Sequence, residues 1–187
     1  MSGSAVAALV VWLVVSAGSL WVWLPPGRSG RKLLGRTSVL LATVTGVVVL
    51  TGVAALLGAR ASPVRGAWSW VAVGLSAVAA VLAGGAVVIC LLGLADSTAR
   101  PDAARVQRTV LRGGTWIGAL ERLALFATLL AGWPEGIAAI VAVKAFARYP
   151  ELKNGQATGA IERFIIGTFA SLGWASVCAG VALVLLR

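Results

Sequence analysis

Glu121 and Arg122 stand side by side in the segment GALERLAL (118–125), and the same arrangement returns forty-one positions later as Glu162 and Arg163 in GAIERFII (159–166). Between the two copies lie Lys144 and, four residues on, Arg148. An acid beside a base can hold an ion pair, take part in proton transfer, or present its cation to an anion. The medium decides among these. Of 187 residues, 59% are hydrophobic and 12% charged, and the apolar residues come in long blocks instead of periodic stripes. The chain therefore reads as a single integral membrane domain over 1–187, an all-α, polytopic transmembrane helical bundle.

The composition also removes several chemistries. Histidine is absent, which excludes a His-based triad, a His proton relay and the common zinc sites. Cys90 and Cys178 stand alone inside apolar blocks and read as small packing residues. Lys and Arg number 16 against 6 for Asp and Glu, a balance that in a soluble protein suggests nucleic acid. Here most of the cations fall in short connections between apolar blocks, where they orient the chain and meet anionic phospholipid headgroups at the cytoplasmic leaflet. Nucleic acid is not an expected partner. Carboxylates are too sparse for metal-dependent phosphoryl chemistry, so no metal and no cofactor is expected.

Helices spanning about 30 Å of hydrocarbon must position these charges. Apolar blocks of sufficient length are Ala5 to Leu24, Thr37 to Gly58, Trp68 to Ala95 and Ile161 to Leu186. The first lacks a basic leader and a small-residue cleavage site, so it reads as a retained span. Residues 114–133 and 134–148 are mostly apolar but interrupted by Glu121, Arg122 and Lys144, and GWPEG (132–136) is a turn signal between them. A transmembrane hairpin there gives about six spans. The connections on one side then hold Arg28, Arg31, Lys32 and Arg36, next Arg100, Arg105, Arg108 and Arg112, and last Lys153 with Arg148 at its edge. The other side holds Arg60, Arg65 and Arg187. This bias predicts both termini outside and the basic loops in the cytoplasm, in a multi-pass membrane protein. Trp21, Trp23 and Trp116 fall at predicted inner ends, and Trp68, Trp70 and Trp133 at outer ones, as an aromatic belt does.

Three parts follow. Residues 1–95 form an uncharged three-span scaffold rich in small residues, including Gly84 and Gly85, suited to close helix packing. Residues 96–113 form a basic cytoplasmic loop, within which 100–112 is either a short interfacial helix or a solvated loop. Residues 114–187 hold the charged hairpin and the last span. Counting from the turn, Glu121 lies about 18 Å inward and Lys144 about 15 Å inward on an antiparallel neighbour, so an ion pair between them is expected. Arg148 lies on the Lys144 face one turn nearer the cytoplasm, a second partner for a carboxylate. Adjacent helical residues diverge by about 100°, so Glu121 and Arg122 must serve different contacts. Glu162 lies about 37 Å from Arg187, which puts it and Arg163 at the inner interface and makes the two copies inequivalent.

The segments IGALER (117–122), AAIVAVKAFARY with Lys144 and Arg148, and IERFIIGTFAS (161–171) together resemble the carboxyl-terminal part of an uncharacterised bacterial inner-membrane family, a domain of unknown function. Its pattern is IGxLER, a lysine followed by an arginine four residues on, and a glutamate before an IGT segment. The resemblance covers about seventy residues; its matching positions are Glu121, Arg122, Lys144, Arg148, Glu162, Gly167, Thr168 and Ser171, with Gly118 a small residue of the first motif, and it implies that the charges among them pair as a unit. It names no reaction. The family's first helix bears His and Asp, and this chain has no histidine.

Together Glu121, Arg122, Lys144, Arg148, Glu162 and Arg163 carry four positive and two negative charges, a surplus that favours an anion if they converge. The plain alternative is internal ion pairs that fix helix register. The leading expectation is a small transporter or channel subunit, a homo-oligomer, whose charge cluster handles a proton, a cation or a small anion. A non-catalytic assembly subunit and a protein that binds or modifies anionic lipid are the alternatives, and an enzyme is the weaker reading.

Overall fold

A computed structural model describes residues 2–22, 37–98, 113–153 and 158–187. These residues are helical throughout, apart from turns and chain ends: α1 (Gly3–Gly18), followed by a 3-10 turn at Ser19–Val22, then α2 (Thr37–Ala59), α3 (Ala67–Thr98), α4 (Gly113–Leu130), α5 (Glu135–Lys153) and α6 (Thr158–Leu186). Three stretches, Ser38–Ala59, Ala67–Ala95 and Ile161–Leu186, are long and apolar enough to cross a membrane. Helix α1 is a shorter apolar helix of 16 residues, and the charges of α4 and α5 lower the hydropathy of the hairpin. The connections 23–36 and 99–112, and with them most of the expected basic loops and the interfacial helix over 100–112, lie outside the described residues.

Helix α3 is the axis. Ala72, Ser76, Ala79, Ala80, Ala83, Ala86 and Cys90 are fully buried along it, and these small side chains let α1, α2, α4 and α6 all pack against it. Without water to expel, contact between apolar helices in a bilayer rests on such close approach and on hydrogen bonds. Two tryptophans supply the bonds. Trp12 Nε1 donates to Ser76 Oγ at 2.6 Å, tying α1 to α3, and Trp174 Nε1 donates to the Ala79 carbonyl at 3.1 Å, tying α6 to α3. Both side chains are buried. By contrast Trp68, Trp70, Trp116 and Trp133 are exposed. Cys90 and Cys178 are buried free thiols.

One end of the bundle is closed by two hydrogen bonds from backbone N–H groups. Val64 N–H donates to the Leu185 carbonyl at 2.9 Å and Ser62 N–H to Ser2 Oγ at 3.3 Å. The first described residue, the α2–α3 turn and the end of α6 thus meet at the same end.

The GWPEG segment is the turn that its residues suggest. Gly132 takes φ +70°, a left-handed conformation open to glycine at little cost. Trp133 N–H reaches back to the Thr128 carbonyl at 2.9 Å and Gly132 N–H to Leu129 at 3.2 Å, the paired bonds of a Schellman helix end. Pro134 then precedes α5, and Glu135 sits in its first turn, where a carboxylate complements the helix dipole. Helix α5 runs further than expected, to Lys153 instead of Arg148, with Pro150 inside it. The proline removes one N–H, which would have bonded the Phe146 carbonyl, and near a helix end that single loss does not stop the turn.

The Trp12 to Ser76 bond generates a test. Trp12→Phe leaves a buried hydroxyl at Ser76 without its donor and should lower stability by about 1 kcal/mol. Unfolding of the purified protein in detergent should show it, whereas Trp70→Phe, on an exposed side chain, should change little.

Candidate functional site

Glu121 and Arg122 leave α4 in different directions, as adjacent helical positions must. Glu121 turns to α5, where Lys144 Nζ donates to its Oε2. The antiparallel hairpin places the two at one level, the pairing that counting from the turn anticipates. Both side chains are mostly shielded, at 21% exposure for Lys144 and 15% for Glu121.

Arg122 turns to α3 and α6 and is only 4% exposed. Its aliphatic stem occupies the space that a side chain at position 84 would fill. A Cβ on Gly84 would lie 2.5 Å from Arg122 Cδ and 2.7 Å from Trp174 Cδ1. The guanidinium folds back along α4, so that a Cβ on Gly118, one turn earlier, would stand 3.4 Å from its terminal nitrogen. That backward lean is the ordinary direction of long helical side chains. Gly84, Gly118 and Trp174 therefore shape a socket for a buried arginine, and its Nε has no hydrogen-bond partner.

A small cleft opens beside the ion pair, lined by Glu121 and Leu125 of α4, Ile140, Val141 and Lys144 of α5, and Thr168, Ser171 and Leu172 of α6. It has room for a water-sized occupant and not for an organic substrate. The two hydroxyls in its wall differ from several others among the described residues. Ser16, Ser19, Thr43 and Thr51 each donate to the carbonyl four residues back, at 2.7 to 2.9 Å. Thr168 Oγ1 and Ser171 Oγ are buried and have no hydrogen-bond partner. Hydroxyls on apolar helices ordinarily satisfy themselves on their own backbone, so the cleft holds two unused polar groups next to a charge pair.

The remaining expected residues are distributed differently. Arg148 and Glu162 are exposed, Arg163 is partly exposed, and none of the three lines the cleft. Gly167 packs near Val88 and Leu92 of α3. The six charges thus divide into a shielded group of Glu121, Lys144 and Arg122 and an outer group of Arg148, Glu162 and Arg163. GALERLAL and GAIERFII are inequivalent: the first directs its acid and base into two interhelical contacts, and in the second Glu162 is exposed near the start of α6. Sequence reasoning passed over Trp174 and the pairing of Gly84 with Arg122. A tryptophan in mid-span, away from both belts, was the available signal. Among the described residues no group of His, Cys, Asp and Glu could hold a metal ion.

Compared with known protein families, with curated proteins and with solved structures, the chain matches none.

The ion pair generates a charge-exchange prediction. Glu121→Lys leaves two cations facing each other in a shielded site and should destabilise the protein by about 3 kcal/mol or more. Adding Lys144→Glu restores opposite charges with the order reversed and should recover a measurable part of that loss in detergent unfolding; a double variant no more stable than Glu121→Lys would refute direct coupling.

Proposed function

We propose that the chain is a six-span protein of the bacterial inner membrane, with both termini outside, that transports or conducts a small ion through a polar site in the α4–α5 hairpin. The observation that carries this reading is the Glu121 to Lys144 pair beside the unbonded hydroxyls of Thr168 and Ser171. Ionisable groups inside membrane spans are expensive, at roughly 2.5–3.5 kcal/mol for a charge at the helix centre on insertion scales, and commonly mark ion or proton pathways. A purely structural pair has no need of two further polar groups held unsatisfied beside it.

The size of the cleft favours a proton or a small ion over a metabolite or a lipid headgroup.

An assembly role is the second reading, favoured by a different observation. Helix α5 packs chiefly on α4 and leaves Val143 and Phe146 at 71% and 81% exposure, an apolar face that suits a second copy of the chain as well as lipid. With little room for a pathway inside one chain, a homo-oligomer serves both readings. The anionic lipid contacts belong to the basic connections and to the outer group of charges.

The function is tested by reconstitution into liposomes. Wild type should dissipate an imposed gradient of protons or of a small ion faster than empty vesicles, and Glu121→Gln should reduce that rate about tenfold or more, the loss expected when a buried charged contact is removed. Flux equal to that of empty vesicles under every gradient imposed would leave the assembly role standing.

A further inference from the structure

The wall of the cleft offers hydrogen bonds of both kinds. Thr168 Oγ1 and Ser171 Oγ, in residues 8% and 4% exposed, have no partner, and each hydroxyl is one donor and two acceptor sites. Glu121 adds its carboxylate oxygens and Lys144 the N–H bonds not used on Oε2. The two charges in the wall cancel. Arg122, on the far side of α4, does not line the cleft, α3 carries no charge from Ala67 to Ala95, and α6 carries none from Phe164 to Leu186. A neutral site with room for one water-sized occupant suits water itself, which donates twice, accepts twice and makes about three bonds when buried. A metal cation must exchange its hydration shell for several oxygens, and the wall has three oxygen-bearing side chains, one of them already paired with an ammonium. An anion meets the Glu121 carboxylate, and a hydrated ion of either sign needs more space. A proton takes no volume of its own, because it moves by exchange of bonds along water and carboxylate.

We propose that the cleft between α4, α5 and α6 seats a single water molecule on Thr168, Ser171 and Lys144, and that the ion handled by the hairpin is the proton, which this water passes to and from Glu121. In the transfer, one O–H bond of the water breaks as one O–H bond forms on a Glu121 carboxylate oxygen, and a proton from the side of entry makes the water whole; the reverse step releases the proton. Lys144 keeps its own protons throughout. One molecule is no hydration shell: it satisfies the two hydroxyls and leaves Glu121 and Lys144 to neutralise each other. The pair in turn keeps the proton's stay short. A protonated Glu121 deprives Lys144 of its counter-charge, with the Arg122 cation one position away, and an ion that is to be conducted must be held weakly enough to leave.

This assignment rests on the reading of the hairpin as an ion site and names the ion, so the identity of the ion is tested apart from the existence of flux. The full-length protein is reconstituted into liposomes that enclose the pH-sensitive dye pyranine, and protons are driven by a potassium diffusion potential set with valinomycin. Wild type should move protons equally fast in sodium chloride and in N-methylglucamine gluconate, and more slowly in heavy water. Thr168→Val/Ser171→Ala, which keeps every charge, should be as stable as wild type in detergent unfolding, since apolar groups of similar shape replace the hydroxyls. Its proton flux should fall about tenfold or more, as expected when two hydrogen bonds to the transferring molecule are lost. Proton movement that requires sodium or chloride, or a double variant that conducts protons as fast as wild type, overturns the proposal. Should the double variant fail to fold, the slower flux expected of Ser171→Ala and the ion replacement in wild type decide. Sodium or chloride flux without a change of internal pH keeps the ion site and removes the proton, whereas no flux of any kind removes both.

Discussion

An acid and a base on neighbouring positions of one helix have to be accommodated on two of its sides, in an interior without water to solvate either. Much of the arrangement around α4 answers that demand. Toward α5, Glu121 needs a cation at its own level, and the Schellman turn at Gly132 sets the register that brings Lys144 there. Toward α3, Arg122 needs space, and the small residues of α3 provide it at Gly84. Helix α6 closes the arrangement by placing Trp174 over the arginine stem and Thr168 and Ser171 beside the ion pair.

The bundle consequently has two parts with different kinds of cohesion. Helices α1, α2, α3 and α6 share a core of alanines and bulkier side chains, fastened by indole hydrogen bonds and by bonds from backbone N–H groups at one end. Helix α5 is attached through its turn, its packing on α4 and the Glu121–Lys144 pair among other contacts. Relative motion of α5 would alter the environment of Lys144 while leaving the indole bonds of the α3 axis in place. In a protein that admits and releases an ion, the movable element is expected among the parts with the fewest buried contacts.

Much of this was legible in the residues. Apolar blocks marked α2, α3 and α6 to within a few residues, because a span must hide its backbone and side chains over a fixed length. The pair of Glu121 with Lys144 followed from helix rise and a recognisable turn. Three things were hidden. Helix α5 continues past Pro150, since a single missing N–H near an end is a small loss that sequence rules treat as a stop. The hydroxyls of Thr168 and Ser171 look the same on paper as those of Ser16 or Thr51, and only their rotamers and neighbours separate a self-satisfied hydroxyl from an unused one. Counting along the chain set Glu162 and Arg163 apart at the inner interface, but it left Arg148 as a second partner for a carboxylate, and its place outside the cleft depends on which helix faces meet.

The vacancy at Gly84 links two distant stretches of the chain through plain volume. Because the stem of Arg122 and the edge of Trp174 fill the place of a missing Cβ, position 84 can gain a side chain only if position 122 or 174 gives up some of its own. Sequence drift in this fold is therefore constrained jointly: an alanine on the α3 axis and an arginine on α4 are alternatives for the same few cubic ångströms, and a lineage that loses the buried cation is released from the need for glycine opposite it.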